Sequence, residues 1–259
     1  MPALSIRSLR KSFLIGPAEN PQRRVALAGV DLEVSEGEIV GLVGGATAGK
    51  TSLLLCAAGM LRRDSGAVYW FGTRFGGGGC LPGVVYVSPV LTYYPFLTVR
   101  DVLTHHMICE GPGDSNRKKF VEQLACALDL TRHLSSLMKD VDHQTLKRVA
   151  IAGAFAENPR VILFDSTLDG LGVGAVVAHR IIGEAAAAGV TVIAASREVG
   201  TLATVATRFV VMESGRVTGS FTAEHSRVER YVGPGQLPEL GDSAAGILTP
   251  LRQIAERMH

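Results

Sequence analysis

The sequence predicts an α/β fold: a core of mostly parallel sheet flanked by helices, with an N-terminal antiparallel β subdomain and a helical insertion. Three observations predict it. Residues 38–43 form a short apolar run that leads into a glycine-rich stretch and a helix. Residues 161–164 are a second apolar run, with the length and composition of a strand buried on both faces of a parallel sheet. Residues 97–140 have the character of helices and lie between these two strands.

Composition sets only broad limits on function. The 259 residues suffice for one large α/β domain with a proper core. A net charge of +2 and the lack of any basic run predict no nucleic-acid partner. No apolar run free of charges is long enough to span a membrane, and the N-terminus lacks a signal-peptide pattern. We therefore expect a cytoplasmic protein whose membrane role, if it has one, comes through a partner.

The first strands follow from alternation of apolar and polar residues. Residues 3–13 and 25–34 alternate in this way, and a turn signal at 35–37 precedes the buried strand 38–43. Later, a short strand is expected at 67–71. A run of glycines separates it from another at 83–88.

The rest of the chain alternates helices and strands. Thr98 and Asp101 have the spacing of a capping box at the start of the insertion. A short helix is expected from Thr131. The elements expected after it are helix 143–157, strand 161–164, helix 173–188, strand 190–195, strand 208–212 and a hairpin across 214–215. The domain is expected to span 1–232, with a helical subdomain at about 97–145. A linker and a short helix are expected within 233–259.

A phosphate-binding loop is the most specific motif. Gly44, Gly49, Lys50 and Thr51 satisfy the pattern G-x-x-x-x-G-K-[ST] between a strand and a helix. Backbone N–H groups of such a loop wrap a phosphate, and the positive end of the helix points at the same anion. Lys50 is expected to reach the β- and γ-phosphates and the Thr51 hydroxyl to ligate Mg²⁺. The core is thus of the P-loop NTPase type, and its predicted nucleotide-binding residues are Gly44, Gly45, Ala46, Thr47, Ala48, Gly49, Lys50, Thr51 and Ser52.

Longer strings carry a family resemblance. The strings are VALAGVDLEVSEGEIVGLVG, Gly59-Met60-Leu61, ENPRVILFD and RFVVMESGRV. With the phosphate loop, they make residues 3–230 resemble the nucleotide-binding domain of ABC transporters. The resemblance implies ATP and Mg²⁺ as cofactors, Phe13 as the aromatic that stacks on adenine and Asp165 as a metal residue acting through water. It also implies a membrane permease bound through the helical subdomain, and a second ATP-binding subunit.

Several positions depart from the family pattern. The catalytic glutamate falls on Ser166, and a serine hydroxyl is too weak a base at neutral pH. The magnesium-linking glutamine falls on Pro89, the switch histidine on Arg197 and the aspartate of the following loop on Gly172. A loop glycine is replaced by Thr47, which would be strained if the backbone there had positive φ.

The family signature L-S-G-G-Q falls on residues 141–145. Asp142 is expected to cap the helix that begins there. Its carboxylate would stand where a partner subunit's γ-phosphate docks, and two unit charges about 4 Å apart repel by about 1 to 4 kcal/mol, depending on the effective dielectric constant.

These observations favour an ATP-binding transporter subunit with weak or absent hydrolysis and a structural or regulatory role. Three alternatives stay open at this point. The chain could be a slow ATPase that drives export with a partner. It could be a scaffold that no longer binds nucleotide, or a soluble regulator without a permease.

Overall fold

An antiparallel sheet forms one layer of the structure. The computed structural model describes residues 1–17, 20–76, 81–108 and 114–222. The strands of this sheet are β1 (Pro2–Ile15), β2 (Gln22–Ser35), β4 (Ser65–Trp70) and β5 (Thr73–Phe75), in the order β2-β1-β4-β5. This is the predicted antiparallel β subdomain. The short strand β5 is an addition to the prediction.

A six-stranded sheet forms the central layer. Its strands are β3 (Ile39–Val43), β6 (Val84–Val87), β7 (Val161–Asp165), β8 (Thr191–Ser196), β9 (Arg208–Glu213) and β10 (Arg216–Thr222). The order is β10-β9-β3-β8-β7-β6, and the neighbours pair in parallel except β10, which is antiparallel to β9. The carboxyl ends of β3, β8 and β7 therefore lie side by side at one edge, where ligands of such sheets bind.

Helices cover this sheet. They are α1 (Lys50–Ala57), α2 (Val99–Ile108), α3 (Asp114–Ala127), α4 (His143–Ala156), α5 (Gly174–Ala187) and α6 (Val199–Leu202). Thr98 and Asp101 form the expected capping box at the start of α2, because each side chain bonds the backbone N–H of the other. The short helix expected from Thr131 is a single 3₁₀ turn, Thr131–His133, and another lies at Met138–Asp140.

Two hydrophobic cores share the central strands. Successive side chains of a strand point to opposite faces. On β7, Ile162 and Phe164 accordingly pack with α2–α5, whereas Val161 and Leu163 pack with α1 and the antiparallel sheet. All four side chains are fully buried.

The α/β prediction is confirmed, and the expected strands and the later helices agree with the structure to within three residues at each end. Within the described residues, no helix combines the length and apolar character needed to span a membrane. The predicted linker and terminal helix within 233–259 lie outside the described residues.

Candidate nucleotide-binding site

The loop between β3 and α1 is built on two glycines that no other residue could replace without strain. Gly44 has φ 154° and Gly49 has φ 98°. A Cβ on Gly44 would lie 2.2 Å from the Met212 carbonyl oxygen, and one on Gly49 would lie 2.4 Å from that of Ala26. The loop therefore packs closely on its neighbours. Thr47 is not among the described residues with positive φ, so the strain considered for it does not arise.

Lys50 closes the mouth of this loop. The residue is buried, and Nζ donates hydrogen bonds to the carbonyl oxygens of Gly44 (2.7 Å) and Gly45 (2.9 Å). Burial lowers the pKa of Lys50, and Asp165 and Asp169 oppose that shift. An anion bound in the loop would therefore contact an ammonium group that is already largely shielded from water.

An open cleft of about 440 Å³ runs from the loop to the end of the β1–β2 hairpin. One end carries the phosphate-loop residues and the other carries Phe13 and its apolar neighbours. The lining residues are Phe13, Ile15, Arg24, Val25, Ala26, Ala46, Thr47, Gly49, Lys50, Thr51, Ser52, Ser166 and Arg197. Phe13 therefore lines the same cleft as the phosphate-loop residues, and its stacking on adenine stays a prediction. Of the other predicted loop residues, Gly44, Gly45 and Ala48 belong to the loop without lining the cleft, and Ala48 is buried.

The residues present fit a hydrated divalent cation. Asp165 ends β7 and is almost fully buried, and the Tyr86 hydroxyl donates to its Oδ2 at 2.9 Å. Within the described chain, no protein donor bonds Oδ1, which leaves that oxygen for a metal-bound water. Thr51 is exposed and lines the cleft. Oxygen ligands of this kind suit Mg²⁺.

Tyr86 is a site residue that the sequence interpretation missed. Burial is the main cause that raises its pKa, and the Asp165 carboxylate adds to the effect. The hydroxyl therefore stays protonated and keeps donating to Asp165. Tyr86 lies within the strand expected at 83–88, but only the pairing of β6 with β7, in which Tyr86 is opposite Leu163, brings its hydroxyl within reach of Asp165.

Outside residues 141–145, three of the five positions that depart from the family pattern line the cleft, Thr47, Ser166 and Arg197. Ser166 has φ 54°. The positive charge of Arg197 contributes to the lowered pKa of Lys50, which places its charge near the phosphate end. Pro89 and Gly172 do not line the cleft. Pro89 is exposed on a bend, and Gly172 lies against the side chain of Gln144.

Asp169 is a second residue that the sequence interpretation missed. Its carboxylate accepts a hydrogen bond of 2.6 Å from the Ser196 hydroxyl, and its backbone oxygen accepts one from the Lys147 ammonium. Burial raises the pKa of Asp169. The residue thus joins the end of β8 to helix α4. The sequence does show an acidic residue four positions after Asp165, but the family's aspartate in this loop corresponds to Gly172.

Asp142 caps helix α4, as predicted. Its Oδ1 accepts a hydrogen bond of 2.8 Å from the backbone N–H of Thr145, and its Oδ2 accepts one of 3.1 Å from the Thr145 hydroxyl. The first of these bonds is the main cause that lowers the pKa of Asp142. The carboxylate is therefore ionised at neutral pH and occupies the N-terminus of α4, where an incoming anion would bind.

The Asp142→Ala variant is expected to lose about 1 kcal/mol of unfolding free energy, because the backbone N–H and the hydroxyl of Thr145 lose their acceptor at the start of α4. Urea denaturation measures the loss. Asp140→Ala is the matched control, since Asp140 is exposed and its side chain makes no hydrogen bond within the described residues. An equal effect of both variants would contradict the capping role.

The strand–loop–helix arrangement and the cleft define a nucleotide-binding domain of the P-loop type. A model of the ABC transporter family matches residues 27–169. This chain belongs to that family. ATP and Mg²⁺ are the cofactors of the family, and the cleft residues described above fit both.

Curated relatives are of the same kind. The chain is 31% identical over 185 residues to the alpha-glucoside transport ATP-binding protein AglK of Rhizobium meliloti (strain 1021), covering 70% of this chain and 48% of that protein. It is 30% identical over 227 residues to the Fe(3+) ions import ATP-binding protein FbpC of Mesorhizobium japonicum, covering 83% and 59%. The chain thus spans about half the length of these relatives.

Solved structures share the fold. A nucleotide-free ATP-binding cassette from an ABC transporter superposes with a TM-score of 0.73 at 21% identity, over 91% of this chain and 97% of that one. A post-hydrolysis dimer of the cassette MJ0796, bound to ADP and Pi, gives 0.73 at 20% identity, over 85% and 99%.

Proposed function

We propose that this chain is the ATP-binding subunit of an ABC transporter complex and that it binds Mg-ATP with weak or absent hydrolysis. One observation supports the proposal above all. The cleft joins a complete phosphate loop to Ser166 and Arg197, at the two positions where the family has its base and its switch histidine. The site is thus equipped to hold phosphates, and its described lining residues include no carboxylate or histidine to activate water.

Each group of the site has a binding role in this proposal. The backbone N–H groups of 44–49 surround the phosphates, and Lys50 exchanges its bonds to the loop carbonyls for bonds to phosphate oxygens. Thr51 and Asp165 would hold Mg²⁺, which supplies charge neutralisation when bound. Phe13 offers its ring to the base. Ser166 cannot accept a proton from water at neutral pH, and losing a general base costs about 10²–10⁴ in rate.

A permease is the proposed membrane partner. We take 1–232 as one nucleotide-binding domain and about 97–145 as its helical subdomain. Beside α2 lies an open cavity of about 530 Å³, lined mostly by apolar and aromatic side chains between Thr92 and His106. Three large hydrophobic residues of the same segment of chain are about 70% exposed: Val90, Tyr94 and Phe96. An exposed apolar patch of this kind suits a protein interface.

The chain is further proposed to pair with a second ATP-binding subunit, in a heterodimer or a homodimer, on the cytoplasmic face of the membrane. The ionised Asp142 at the N-terminus of α4 supports a heterodimer, because a second copy of this chain would place the same carboxylate against the nucleotide phosphate of the first.

The FbpC relative is named an import protein, and we propose import as the direction of transport.

Measured alone with Mg-ATP, the purified chain should bind nucleotide but turn it over about 10²–10⁴ times more slowly than a cassette with an intact base. Phosphate release measures turnover, and ATP-dependent thermal stabilisation measures binding. The Ser166→Glu variant tests whether the missing base alone limits turnover. It should raise the rate of ATP hydrolysis only slightly, because Asp142 still occupies the N-terminus of α4.

Turnover by the purified chain at the rate of an ordinary cassette would overturn the proposal. If addition of the natural partner restored that rate, the result would instead favour the alternative of an ATPase that drives transport together with a partner. Absence of any stabilisation by ATP would favour a scaffold without nucleotide.

A further inference from the structure

The end of the cleft that would hold the nucleobase pairs an aromatic residue with a cation. Phe13 of β1 and Arg24 of β2 are directly opposed in the antiparallel register, and both line the cleft. Side chains opposed in this way project from the same face of the sheet. Ile15 and Val25 line the same end and give it an apolar surface. A base stacked on Phe13 would therefore have Arg24 at its edge.

Arg24 is available for a ligand. Within the described residues its guanidinium makes no hydrogen bond and no ion pair, and it is exposed. The neighbouring Arg23 differs, since its Nε donates to the Ser12 hydroxyl at 2.9 Å and its charge lies 3.9 Å from the Asp64 carboxylate. Lys11 lies 5.2 Å from the centroid of the Phe13 ring, but Asp64 balances its charge at 3.3 Å.

The charged side chains that line the cleft are all cationic. They are Arg24, Lys50 and Arg197, and no carboxylate joins them among the described lining residues. Lys50 and Arg197 belong to the phosphate end. The base end thus offers side-chain donors and no charged acceptor.

This arrangement distinguishes between purines. A 6-oxopurine, such as guanine or hypoxanthine, presents the O6 and N7 acceptors side by side, and the guanidinium fork matches that pair with two hydrogen bonds. Adenine presents an amino donor at C6, so the fork has only N7 to bond and faces a donor beside it.

We propose that the cleft binds 6-oxopurine nucleotides at least as tightly as adenine nucleotides, and that Arg24 is the residue that selects them. The proposal rests on the proposed nucleotide-binding function and adds a second class of nucleotide to it. Arg24 is a specificity residue with no part in bond breaking.

Equilibrium titration of the whole chain with Mg-ATP, Mg-GTP and Mg-ITP tests the proposal. ITP carries the 6-oxo group without the 2-amino group of guanine, so it isolates recognition of O6 and N7. The Arg24→Ala variant should lose about tenfold in affinity for GTP and ITP, the size of one bidentate pair. Its affinity for ATP should change by less than about threefold. Arg23→Ala is the matched control and should leave the ratios between nucleotides unchanged.

Three results would overturn the inference. Tighter binding of ATP than of both GTP and ITP by the wild-type chain would show that Arg24 does not select 6-oxopurines. An equal loss for all three nucleotides in Arg24→Ala would place its guanidinium on phosphate or ribose. In both cases nucleotide binding itself stands, whereas failure of all three nucleotides to bind would remove the proposed function as well.

Discussion

Replacing Lys50 with alanine should abolish the stabilisation of this chain by Mg-ATP. At a ligand concentration 100 times Kd, binding adds about 2.7 kcal/mol to the free energy of unfolding. For a domain of this size that corresponds to a rise of about 5–10 °C in Tm. The Lys50 ammonium is the cation positioned at the loop mouth, so its removal leaves the phosphate charge without its nearest partner. Differential scanning fluorimetry with and without nucleotide measures the change.

The control for this prediction is Lys139→Ala. Lys139 is exposed and far along the chain from the loop, so its variant should keep the full shift. Comparing shifts, rather than absolute melting temperatures, removes the separate cost of losing the two bonds to the loop carbonyls. A Lys50→Ala protein that still gains several degrees with Mg-ATP would show that this loop is not where the phosphates bind.

Gly44→Ala should destabilise the protein by about 3 kcal/mol and also weaken nucleotide binding. The residue has φ 154°, and a Cβ there would lie 2.2 Å from the backbone oxygen of Met212. Left-handed strain and overpacking each cost about 1–3 kcal/mol. Because the obstructing atom belongs to the backbone of β9, relief requires movement of the strand or of the loop. Urea denaturation measures the first effect and nucleotide titration the second.

Gly45 supplies the matched substitution one residue later. A Cβ at Gly45 would meet no atom within 4 Å, and its φ is not positive. Gly45→Ala should therefore change stability by less than about 0.5 kcal/mol. Similar losses in the two variants would mean that the loop adopts another conformation in solution.

Local patterns in the sequence predicted much of the architecture. Apolar runs such as 161–164 and the alternation in 3–13 and 25–34 depend only on which residues face the core. The phosphate loop could be predicted because glycines are required at fixed spacing by backbone geometry, as Gly44 and Gly49 demonstrate. The Asp142 cap follows the same logic, since a cap acts on its own helix.

Features that depend on distant pairing could not be predicted. Tyr86 and Asp165 are 79 residues apart, and only the adjacency of β6 and β7 joins them. The bond between Asp169 and Ser196 likewise needs the end of β8 beside the loop after β7. Strand β5 and helix α6 are three and four residues long, too short to show periodicity.

Strand β7 is shared by two hydrophobic cores, and this arrangement limits local unfolding of the central sheet. Ile162 and Phe164 belong to one core and Val161 and Leu163 to the other, so neither layer can separate without exposing one face of the strand. Amide protons of β7 should therefore exchange with solvent only when both layers open together. Binding energy gained at the phosphate loop would slow that exchange in the central strands, far from the ligand itself.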